Sequence, residues 1–179
     1  MPSIKPMPGA RSHARIRKAD LRRLARIAHE EREDFFGRHP EWAILYRKRL
    51  LGSALCGNGA LHYLNGITGV DQFEIVSFYA EHADAAFPYQ RVSHADFGKP
   101  KFGRGAQPAE TYTGLRINLQ GRSIEGGPGD DPLETIQRYV RAGATPTARD
   151  LARRAVVMLE PEELLGIEAW PSLVLPPRR

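Results

Sequence analysis

The stretch "GVDQFEIVSFY", residues 69–79, decides how the chain is read. From Gln72 to Tyr79 it is rich in Phe, Ile, Val and Tyr, which suits a strand packed in a core. Glu74 interrupts that apolar run. A carboxylate in such a place is either a solvated side chain or a group kept for its chemistry. Side chains alternate along a strand, so Gln72 shares a face with Glu74 while Asp71, three residues away, takes the other.

Upstream lies "LLGSALCGNGALHYLNG", residues 50–66, rich in small residues and read as glycines around a short helical stretch. It is not a phosphate-binding P-loop, because no Gly-Lys-Ser/Thr follows. It is also read as no dinucleotide fingerprint, since the glycines precede the 72–79 strand rather than follow one. Further upstream, Leu21, Leu24, Ala25, Ala28 and Phe35 fall at near-helical spacing over 18–36, and "EWAILYRKRL" starts a second helix after Pro40. Downstream, "TYTGLRINLQGRSI" holds a second strand. Helices are expected from Asp131 and from Thr147, the latter running through "TARDLARRAVVMLE", with those two residues as N-caps and Pro132 at the first helical position of the former. "PEELLG" reads as a short helix ended by Gly166.

The 179 residues suffice for one buried core. The expected organisation is a flexible basic arm over 1–17 and a single domain over 18–179. That domain divides into a helical extension (18–49), a core (50–125) and C-terminal helices (131–166). The net charge of +5 permits an acidic partner such as RNA or a nucleotide. Seven basic residues stand between Arg11 and Arg26 against one acid, Asp20, yet no aromatic residues alternate with them as stacking platforms, so a solvated helix face is the reading. Cys56 is the only cysteine, which rules out an intrachain disulfide and a cysteine-based zinc site. No apolar run has the length of a membrane span, and a cytoplasmic protein without membrane contact is expected.

The order of these elements resembles the nucleotidyltransferase superfamily, which includes DNA polymerase beta. In that superfamily an apolar residue, Gly, and Gly or Ser open a helix, and a strand follows with acids two residues apart. Here Gly57-Asn58 is followed by thirteen residues and then Gln72-Phe73-Glu74-Ile75. "GNGALHYL" is similar to the "GGTALH" helix of the abortive-infection toxin-like bacterial members. The resemblance spans residues 50–122. It implies an α/β (α+β) fold: a small mixed sheet flanked by helices, with the N-terminal helical extension and the C-terminal helices around it. It also implies that Gln72 and Glu74 stand at two carboxylate positions, and that Asn118, flanked by Ile117 and Leu119 in "RINL", stands at the third.

Two of the three implied ligands are therefore amides. Two magnesium ions bring four positive charges, and one carboxylate offsets little of that. Glu74 is left as a weak metal ligand at most, and no cofactor is expected unless an active form uses Mg. Arg116 shares a strand face with Asn118 and is the expected counter-ion of Glu74. Gly57 and Asn58 are expected at a helix start that favours an anion. Lys99, Lys101 and Arg104, in the glycine-rich "GKPKFGRG", add a basic loop suited to phosphates. His62 is read as packed against the sheet. "EHAD", with Glu81, His82 and Asp84, is read as a loop, and "HADFG" as a chance likeness to a kinase motif. The expected function is a catalytically degenerate protein binding a nucleotide, an RNA or a protein partner in the former cleft. The alternatives are an active enzyme moving a nucleoside monophosphate to a hydroxyl, and an interaction protein, as in a toxin–antitoxin pair, using the fold as scaffold.

Overall fold

The computed structural model describes residues 14–87, 93–98, 102 and 115–171. Helices α1 (Lys18–Arg38) and α2 (Pro40–Tyr46) open it, and a 3-10 turn at Arg47–Arg49 leads into β1 (Leu50–Cys56). Then follow α3 (Gly57–Asn65), β2 (Gln72–Ala80), β3 (Ser93–Asp96) and β4 (Arg116–Ile124). Helices α4 (Pro132–Ala142) and α5 (Pro146–Ala152), strand β5 (Val156–Glu160), a 3-10 turn at Glu162–Leu164 and β6 (Glu168–Trp170) close it. Among the described residues the strands form one six-stranded mixed sheet, ordered β3-β4-β2-β1-β5-β6. Only β2 and β4 run parallel among its pairs; the other four pairs are antiparallel. The class is α+β, as the residue pattern suggests.

Two elements correct the sequence reading. Leu50–Cys56 is a strand in the interior of the sheet, not part of a helical stretch, so Gly57 and Gly59 follow one strand and precede another. All of it beyond Leu50 is buried, which erases the alternation that marks a half-exposed strand. The helix expected through "TARDLARRAVVMLE" stops at Ala152, and Val156–Glu160 is β5, fully buried up to its last residue. Its cap also shifts: Thr145 Oγ1, not Thr147, accepts from the Ala148 amide at 3.1 Å, with Pro146 at the first helical position. For α4 the expectation holds, with Asp131 Oδ1 accepting from the Glu134 amide at 2.8 Å.

The sheet separates two cores. On one face Leu55, Phe73, Ile75, Ile117, Leu119, Val157 and Leu159 meet Leu21, Leu24 and Ala28 of α1 and Ala60 of α3. On the other, Cys56, Val76, Phe78, Ile124, Val156 and Met158 meet Ile136 and Val140 of α4 and Leu151 of α5. Ile16 is buried in the first core, so the expected arm has already joined the domain by that residue. Residues 1–13 lie outside the described residues.

Helix α1 brings a charge into the interior. Arg32 is buried; it donates to Ser77 Oγ at 3.2 Å and to Glu160 Oε1 at 3.0 Å, with a second, shorter contact to Glu160 Oε2. Ser53 Oγ donates to the same carboxylate at 2.9 Å. This bidentate pair ties α1 to β1, β2 and β5, and losing one partner of such a pair leaves an uncompensated buried charge. An aromatic cluster of Phe36, Tyr46, Tyr79 and Phe87 seats the α1–α2 hairpin at the far end of β2, with the Tyr79 and Phe87 rings stacked at 4.6 Å. Several basic residues of α1 and its neighbours have intramolecular partners. Arg22 meets Glu162 at 3.2 Å, Arg47 meets Glu33 at 3.3 Å, and Arg23 lies 4.2 Å over the Phe97 ring.

Candidate active site

A row of residues crosses the sheet at the end remote from the aromatic cluster. Cys56 on β1 is the register partner of Glu74 on β2, and Glu74 is the partner of Asn118 on β4. Gln72 and Arg116 are partners one step along the same face. The structure thus brings Gln72, Glu74 and Asn118 together: parity puts Gln72 and Glu74 on one face, and the β2–β4 register adds Asn118. Parallel pairing of β2 with β4 makes this possible without a break from Gln72 to Ala80. The backbone of His94 on β3 extends the row beyond Asn118, a link that the sequence alone did not suggest.

Helix α3 begins against this row. Gly57 has φ of +66°, a conformation that L side chains rarely adopt. A Cβ there would also overlap Glu74 Oε2. The positive φ favours glycine here, and a side chain would in addition displace the Glu74 carboxylate. Gly59 has a different reason: its missing Cβ lets α3 settle on Phe73, whose Cδ1 would otherwise stand 2.9 Å away. Asn58, between them, is half-buried. The Glu74 carboxylate lies at the positive end of a nine-residue helix, a favourable place for an anion.

The hydrogen bonding at the site is thin. Gln72 Nε2 donates to Glu74 Oε1 at a long 3.4 Å. Asn118 Oδ1 is buried and accepts no hydrogen bond among the described residues. Each acceptor left in that state carries a desolvation cost. Arg116, the expected partner of Glu74, is exposed at the end of β4, and the guanidinium of Arg154, just after α5, also lies beside the Glu74–Gly57 contact. No sequence signal marks Arg154, because only the turn from α5 into β5 carries it there. Cys56 is buried and its thiol pKa is raised, first by burial and then by the Glu74 charge.

The residues do not fit a two-metal centre. They offer one carboxylate where the family resemblance implies three, and no group of three His, Cys, Asp or Glu side chains gathers anywhere among the described residues. The arrangement is suited to binding through one carboxylate, two amides and nearby arginines. Lys99, Lys101 and Arg104 lie outside the described residues.

Other polar residues have structural uses. His62 is buried, with Nδ1 2.6 Å from the Thr68 carbonyl and its ring edge-on to Phe102, as a packed histidine should be. Asp96 Oδ1 accepts from the amides of Gly98 and Leu115 at 2.9 and 3.0 Å and so closes a turn. His82 Nδ1 accepts from the Asp84 amide at 3.1 Å within its loop. No described helix is long and apolar enough to cross a membrane. The chain matches no protein-family model, no curated protein and no solved structure.

Two measurements check this geometry. Gly57→Ala should destabilise the protein by about 2 kcal/mol or more in urea unfolding, from left-handed strain plus overlap with Glu74. In a Glu74→Ala background the cost should fall by about 1 kcal/mol, the coupling expected of groups in contact. Equal costs in both backgrounds would contradict the contact. The raised Cys56 pKa has a sign that can be read in stability. The unfolded thiol ionises from about pH 9.0 while the folded thiol keeps its proton, so stability is full below that pH and declines above it. Cys56→Ala should remove up to about 1.4 kcal/mol of loss per pH unit between pH 9 and 11, read as the difference from wild type.

Proposed function

We propose that this chain is a nucleotidyltransferase-like protein of the cytoplasm that has lost its metal-ligand charges and binds a nucleotide, free or within RNA, at the former active face. One observation carries the reading: Gln72, Glu74 and Asn118 share a sheet face at the start of α3, in the arrangement the family resemblance implies, with amides at two of three acid positions. A helix start and neighbouring arginines suit a phosphate, whereas a single carboxylate suits a divalent cation poorly. Arginines can hold a phosphate without the metal pair that this family's phosphoryl transfer uses, so the reading is binding.

Thermal unfolding with each ribonucleoside triphosphate tests this. At least one should raise Tm, by the same amount in EDTA as in magnesium, because the bound state draws on protein cations alone. A rise seen only with magnesium would support the enzyme instead. So would transfer of a labelled nucleoside monophosphate that disappears in Glu74→Gln.

A further inference from the structure

The site holds two acceptors with unmet capacity and a donor with the same shortage. Among the described residues Glu74 receives one long hydrogen bond, from Gln72, and Asn118 Oδ1 receives none. Arg154 is exposed, and no hydrogen bond or ion pair holds its guanidinium among the described residues. Its neighbours are committed elsewhere: Arg153 faces Asp150 at 3.7 Å, and Arg149 donates to the Gly143 carbonyl at 2.9 Å. Arg154 Nη1 stands 4.0 Å from the point where a Gly57 Cβ would be, the same point that Glu74 Oε2 crowds. The Arg154 amide, bonded to the Leu151 carbonyl at 3.5 Å, fixes the base of the side chain where α5 ends.

We infer that Arg154 is the resident cation of this site. Its guanidinium closes on the Glu74 carboxylate at the Gly57 turn, where it competes with any divalent cation for that one charge, and its remaining N–H groups face an anionic ligand. The charges match: one carboxylate neutralises a monocation, whereas a dication would keep a net positive charge in a half-buried setting. The shapes match as well, because a planar guanidinium presents five donors in a fork that meets carboxylate and phosphate oxygens together. Arg154 follows α5, so the closing motion is a side-chain rotation at an exposed position and leaves both cores intact. The anionic ligand rests on the nucleotide-binding reading above; the Arg154–Glu74 contact does not.

Two titrations of the full chain separate those layers. Mn²⁺ is added without nucleotide to wild type, Arg154→Met and Arg154→Lys, and broadening of the Gly57, Glu74 and Asn118 amide signals is followed by NMR. Arg154→Met should reach half-broadening at about one-tenth the Mn²⁺ that wild type needs, because the competing cation is gone, with the lysine variant in between. Coincident curves for wild type and Arg154→Met would overturn the inference. Inorganic pyrophosphate in EDTA is the second probe. Wild type should bind it about tenfold more tightly than either variant, since lysine keeps the charge but lacks the fork. Equal affinity in all three would overturn the ligand-facing role. If pyrophosphate binds none of them while the Mn²⁺ contrast stands, the contact with Glu74 is supported and the nucleotide reading is lost.

Discussion

The parallel pairing of β2 with β4 is the constraint on which the site depends. Nine register pairs run from Gln72 opposite Arg116 to Ala80 opposite Ile124. Because side chains alternate, a slip of one residue would send Asn118 to the α1–α3 face and bring Ile117 or Leu119 out of its core. The apolar positions therefore hold the polar ones in place. Phe73, Ile75, Ile117 and Leu119 need one core, Val76, Phe78 and Ile124 need the other, and Gln72, Glu74 and Asn118 are carried along. Placement of Glu74 is a by-product of burial elsewhere, which is why a charged group persists on an interior strand.

The start of α3 adds the second half of the geometry. At Gly57 the chain leaves β1 with a positive φ and leaves no side chain between the helix and Glu74. The carboxylate is thereby pressed toward the positive end of the helix. A two-metal centre would need this carboxylate to act with two more; here the residues beside it on the same face are the amides Gln72 and Asn118. On the proposed reading they hold the framework of such a set with altered electrostatics. Arg154, which lies on neither strand, is the group we infer to restore a local balance.

Strand parity made the pairing of Gln72 with Glu74 on one face legible, while Asn118 joined them only through the family resemblance, because parity does not say which strands are neighbours. The caps of α4 were legible for a similar reason: Asp131 and Pro132 act on their immediate neighbours. What escaped was set by distant packing. β1 is buried on both faces and built of small residues, so its pattern has no period to detect. In "RRAVVMLE" a continuous apolar run fits a buried helix or a buried strand equally, and β1 beside it decides for strand. Nothing in the sequence of α1 singles out Arg32 as buried, because its partners Ser77 and Glu160 lie on distant strands. Arg154 reaches the site only because α5 ends before it, which the expected longer helix would have prevented.

The central claim is that this face keeps the geometry of a carboxylate metal site and lacks its charge. Restoring the charge tests that directly. Mn²⁺ affinity, measured by calorimetry on wild type, Gln72→Asp, Asn118→Asp and the double variant, should be millimolar or weaker in wild type, on the order expected of a lone carboxylate. The double variant should bind at least about tenfold more tightly than the two single effects combined would give, because the ligands act as a unit. Tight binding of two metals by the wild-type protein, or no gain in the double variant, would contradict the account.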